Sequence, residues 1–116
     1  MSLDVTLVEP RPTDVYSSNI THNLAKMAQE VKFEWDNATY TLYSVLWHPD
    51  SLGFTKAKDI SELLDVGWNE LLANPERFKE YNPPNGWGNY DNLVKFVYEY
   101  RNACWDNPDA QIGISR

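Results

Sequence analysis

Cysteine is the scarcest residue of this chain, with Cys104 alone among 116 residues. An internal disulfide is excluded, and so is a zinc site built on thiolates. Cys104 falls in an apolar helical pattern, where a thiol packs as a small hydrophobe. Histidine is nearly as scarce. His22 and His48 lie far apart without a carboxylate at metal-ligand spacing, so they form no metal motif. No nucleophile stands in a recognisable elbow or oxyanion-hole setting. No cofactor is expected.

Basic residues are also few: 10 Lys and Arg against 17 Asp and Glu give a formal charge of −7 and a pI near 4.6. That balance repels phosphate backbones, and direct nucleic-acid binding is not expected. The acids are scattered rather than gathered in a stripe, so they read as a solubility device and not as nucleic-acid mimicry. No apolar run approaches the length of a membrane span, and Met1-Ser2-Leu3-Asp4 has neither the basic nor the apolar part of a leader. A cytoplasmic protein without a membrane segment is expected. The triplets Asn19-Ile20-Thr21 and Asn37-Ala38-Thr39 match a glycosylation pattern but are read as local capping chemistry. There is no internal repeat, low-complexity tract or linker.

Aromatics, by contrast, are abundant, at 14% with five Trp and seven Tyr. So much large apolar surface implies a folded chain, and the length implies one domain. The stretch Asn82-Pro83-Pro84-Asn85-Gly86-Trp87-Gly88-Asn89-Tyr90 cannot be a helix or a central strand, because its prolines and glycines interrupt both. It reads as a built loop that holds Trp87 and Tyr90 in place.

Leu3, Val5 and Leu7 alternate and predict a short edge strand that Pro10 and Pro12 stop. Thr13 to Asn23 is rich in capping residues and leads into a helix over about 21–30, capped by Asn19 or Thr21. Residues 32–47 carry mixed signals. Phe33 and Trp35 alternate as in a strand, and Thr39, Thr41 and Val45 are β-branched, yet Tyr43, Leu46 and Trp47 are spaced as on a helix. A helix over about 37–47 is expected, capped by Asp36 or Asn37 and ended by Pro49. Asp59 and Glu62 have capping-box spacing ahead of the apolar face Ile60, Leu63, Leu64, Gly67, Trp68, Leu71 and Leu72. Asn74-Pro75-Glu76 restarts a short helix through Phe78 and Tyr81. Asn89 or Asp91 caps a long helix with core face Leu93, Phe96, Val97, Tyr100 and Cys104. Ile112 and Ile114 alternate in a last strand that pairs with the first. The expected fold is α+β: four or five helices with a small two-stranded antiparallel sheet made by the terminal segments.

Three polar segments hold the candidate site residues. Asn19, Thr21, His22 and Asn23 surround a helix start, where free N–H groups favour an anion or carbonyl, although capping alone also explains them. Trp47 and His48 precede Pro49 and suit a pocket rim. In the loop, the glycines permit close approach, Trp87 and Tyr90 offer flat faces, and Asn85 offers donors and acceptors, although the same residues equally describe a loop that pins itself down, with Trp87 in the core and the asparagines bonding their own backbone. Arg101 and Arg116 are the charges of most interest, the latter able to reach an anion or the domain's own carboxylates.

Ser18-Asn19-Ile20-Thr21-His22-Asn23-Leu24 with Met27-Ala28, Leu46-Trp47-His48-Pro49 and the Asn82 to Tyr90 loop, with the segment from Cys104 to Arg116, resemble a group of small proteins from bacteriophages and bacteria. The chain is longer than that group between Val31 and Tyr43. The resemblance implies a phage or bacterial setting and no mechanism. The expected function is non-enzymatic binding of a small polar, anionic or planar ligand (a nucleotide among them) or of a host-protein segment, in a groove framed by the three segments. Two alternatives remain: an interaction module or homodimer acting through an aromatic surface, and a hydrolase or transferase using His22 or His48.

Overall fold

The computed structural model describes residues 2–9 and 14–116, and the two prolines expected to stop the first strand lie outside them. The architecture is α+β, with five α-helices and two antiparallel sheets among the described residues. Strand β1 (Ser2–Val8) buries Leu3, Val5 and Leu7 completely, as its alternation requires. It pairs with β5 (Gln111–Ser115), placing Val5 opposite Ile114 and Leu7 opposite Ile112. The terminal segments therefore do share a sheet.

That sheet has three strands, however, in the order β2-β1-β5, so β1 is central and not an edge. The added strand is β2 (Asp14–Thr21), read from the sequence as a run of caps. Tyr16, Ser18 and Ile20 stand opposite Leu7, Val5 and Leu3, and this one inward row suffices to seat the strand. Serine and asparagine on the solvated face concealed it, since an antiparallel sheet tolerates polar residues there.

Thr21 caps a 3-10 turn (His22–Leu24) that runs into α1 (Ala25–Gln29), in line with expectation. Residues 32–41 are a hairpin, β3 (Lys32–Trp35) and β4 (Ala38–Thr41), and not the helix expected from residue 37. Asp36 and Asn37 form its two-residue turn with φ of 49° and 64°. A primed turn needs positive φ at both central positions, which Asn and Asp tolerate best after glycine. Helix α2 (Leu42–Trp47) then starts at Thr41, whose Oγ1 accepts the Ser44 N–H at 3.1 Å.

Helix α3 (Ala57–Ala73) begins three residues before the start implied by Asp59 as cap, with Lys56 at the cap position. The acid in its capping box is Asp59 itself, which accepts the N–H groups of Thr55 and Lys56 at 3.0 Å each. A Cβ on Gly67 would stand 3.0 Å from Leu42 Cδ1 and 3.1 Å from Phe33 Cε1, so the missing side chain lets α3 lie against the hairpin. Helix α4 (Pro75–Lys79) seals Phe78 inside. Helix α5 (Tyr90–Asp106) is capped by reciprocal 2.9 Å bonds between Asn89 and Asn92. It runs antiparallel to α3, as the bonds from Tyr90 Oη to Leu71 O (2.7 Å) and from Arg101 to Asp65 (2.9 Å) show. Leu93, Phe96, Val97, Tyr100 and Cys104 all face the core as their spacing predicts. Each large apolar side chain buried there contributes about 2 kcal/mol of transfer free energy.

Candidate functional site

The end of β2 and the first half of α5 enclose a groove of about 280 Å³. One wall is the unbroken run Ser18, Asn19, Ile20 and Thr21; the other is the helical stripe Asn92, Lys95, Phe96 and Glu99. Leu24 and Gly88 close one end. Gly88 has φ of +94°, and a Cβ there would stand 2.7 Å from Thr21 Cγ2 and 3.2 Å from Leu24. Only glycine permits both the backbone and the approach. The loop thus abuts the first polar segment.

Inside the loop the polar groups serve the loop. Asn85 Oδ1 accepts the Trp87 N–H at 2.9 Å, and Asn82 Oδ1 accepts the Tyr90 N–H at 2.8 Å. Trp87 is left 70% exposed beside Gly88, free to stack on an incoming group. Tyr90 is not: it is buried as the first residue of α5, and its hydroxyl is engaged by Leu71. Its place as a ligand-facing ring is corrected by its helical register, three and seven residues before Leu93 and Val97.

The histidines stand at the two ends of a row of rings, with Trp47 and Tyr43 between them. The His22 ring lies 6.1 Å from Trp47, Trp47 stacks on Tyr43 at 5.3 Å, and Tyr43 Oη is 3.1 Å from His48 Nε2. His22 Nε2 is buried without a hydrogen-bond partner. Trp47 is core, and its carbonyl accepts from Arg116 at 2.8 Å. Arg116 also binds Asp50 at 2.9 Å and, through that hydrogen bond, holds the Asp50 carboxyl below the usual carboxylate range. Asn23 is exposed, its N–H donating to Thr21 Oγ1 at 3.3 Å. Of the nine candidate residues, only Asn19 and Thr21 line the groove. Neither imidazole does.

The groove residues missed in the sequence, Ser18, Asn92, Lys95, Phe96 and Glu99, include four with an i, i+3, i+4, i+7 signature on α5. That stripe gained meaning only once β2 was known to be a strand. Lys95 and Glu99 form no ion pair within 4.0 Å among the described residues. The wall chemistry is one cation, one anion and several neutral donors and acceptors over an apolar floor. No family model, curated protein or solved structure matches the chain. Among the described residues no group of three or more His, Cys, Asp or Glu is placed to hold a metal ion, and no helix is long and apolar enough to cross a membrane.

A second exposed cluster lies across α3 and α5. Arg101 is 8% exposed, with its Cζ 4.3 Å from the Trp68 ring centroid, 4.5 Å from Trp105 and 5.1 Å from Tyr98. Trp105 and Tyr98 keep between two fifths and half of their surface in solvent.

Proposed function

We propose that this chain is a non-enzymatic accessory protein, of the phage or bacterial setting its resemblance implies, that holds a small polar or planar ligand or a short partner segment in the groove between β2 and α5. The observation that carries this reading is the pair Lys95 and Glu99, unpaired charges on one wall of a hollow whose other wall is strand. Trp87, exposed at the adjoining loop, supplies a flat face for a planar group. Cys104 supports the non-enzymatic part, because burial pushes its thiol up to about 12 and keeps it protonated. Thermal-shift measurement against a panel of nucleotides and inorganic anions tests the ligand form. A compound that raises the Tm of the parent should raise it much less in Lys95→Ala with Glu99→Ala, and less in Trp87→Ala. An equal shift in all three chains moves the site elsewhere and defeats the reading.

The exposed rings around Arg101 favour a second reading, an interaction or homodimer surface, since Trp, Tyr and Arg are enriched in interface cores. Light scattering after size exclusion decides it: a dimer that Trp105→Ala returns to monomer supports it, and a monomeric parent opposes self-association.

A further inference from the structure

We infer that the occupant of the groove is an extended peptide segment of a partner protein, which pairs with β2 as a fourth strand of the sheet. This rests on the groove reading above and narrows it to one kind of occupant. The two outer edges of the sheet are treated differently. Beyond β5, the segment before α3 covers the first part of the edge: Ile112 N–H donates to Thr55 O at 2.9 Å, Lys56 bridges Gln111, and Ala57 N–H donates to Ala110 O at 2.9 Å. Beyond β2 there is no such cover among the described residues. Among the described residues, the main chain of 15–20 makes no backbone hydrogen bond outside its ladder with β1. In an antiparallel ladder alternate residues turn N–H and C=O outward, and on an edge these groups await a partner.

Edge strands are ordinarily guarded by lysine, proline or inward charge. Residues 16–20 of β2 read Tyr, Ser, Ser, Asn and Ile and contain none of these, and the register shift of the ladder, another such guard, falls before them, between Asp14 and Tyr16. The groove wall supports the same conclusion. Side chains on one face of a strand would line a hollow at every second position, whereas 18, 19, 20 and 21 all do so, which presents the edge itself.

The helix wall sets the register. Lys95 and Glu99 are separated by about 6 Å of helix rise. Two residues of an extended peptide span roughly 6.7 Å, so alternate side chains of the added strand meet both charges. Tyr16 stacks on Tyr100 while Thr21 adjoins Gly88, so β2 runs antiparallel to α5 and Lys95 lies nearer the Thr21 end. A peptide antiparallel to β2 passes Lys95 first and Glu99 second. Its recognition pattern is therefore acid, any residue, base, read from N- to C-terminus. The chain's charge of −7 disfavours a second copy in the same place and tolerates a basic partner.

The probe is a synthetic heptapeptide of alternating valine and threonine, with aspartate third and lysine fifth. Its comparators have those two residues exchanged or the backbone nitrogens methylated. On the full chain the first peptide should bind about tenfold tighter than either comparator and slow amide exchange along β2. Lys95→Glu with Glu99→Lys, both on the exposed face of α5, should invert the preference between the two charge orders. Equal binding of all three peptides, or binding of none at millimolar concentration, overturns the inference. A nucleotide or anion that perturbs the Lys95 and Glu99 resonances without protecting β2 also overturns it, and leaves the groove reading standing. Protection of β2 by self-association without peptide overturns it in favour of a second copy. If neither peptides nor small ligands perturb the groove, both readings fall.

Discussion

Arg101 is held from more directions than its ion pair accounts for. Three aromatic rings stand within 5.1 Å of its guanidinium, and Asp65 accepts from Nη1 at 2.9 Å. Each ring contributes about 0.5–1 kcal/mol at such half-exposed positions, and the charged hydrogen bond somewhat more. Arg101→Ala is expected to cost about 2–3 kcal/mol in urea unfolding. Arg101→Lys should recover less than half of that, because an ammonium lacks the planar fork that stacks and donates together. The arginine was visible in the sequence as an unusual charge, but its enclosure was not. Two of the rings come from α5 and one from α3, and the pairing of those helices is a tertiary fact.

Capping decides several of the helices, and Asp59 shows how. Its carboxyl is held below the usual carboxylate range chiefly because the Lys56 N–H donates to it, with Thr55 adding to the effect and burial opposing it. A depressed native value stabilises the fold above the unfolded value of 3.8 and is lost as pH falls through the native one. Asp59→Asn should therefore cost about 1 kcal/mol at neutral pH. The difference from the parent should narrow as the pH falls below 3.8, measured by urea unfolding at neutral and acid pH. Helices were the legible elements here, because apolar spacing at 3, 4 and 7 residues survives in α3 and α5 whatever surrounds it. The hairpin was obscured because its turn is written in positive φ at Asp36 and Asn37, with no glycine to announce it. Strand β2 was obscured because three inward residues, one of them Ser18, are too short a pattern to outweigh five capping residues.

In the molecule as a whole, the pairing of the terminal segments was readable from matched alternation, but the third strand and the central place of β1 were not. The groove inherits that gap, since one of its walls is the unread strand. Removing residues 111–116 would strip β1 of one neighbour, uncover Val5 and Leu7, and release the Arg116 tie to Trp47 and Asp50. Loss of the cooperative urea transition, with the hairpin of β1 and β2 insufficient alone, is the expected result by circular dichroism. A truncated chain that still unfolds cooperatively would show that the helices stand without the sheet.

Because Asp4 faces Ser115 across the sheet, β1 acquires its second neighbour nearly a whole chain length after it is made. On the ribosome that flank stays open while the five described helices are made, so its pairing with β5 is a late, long-range step that leaves a strand edge exposed in the nascent chain.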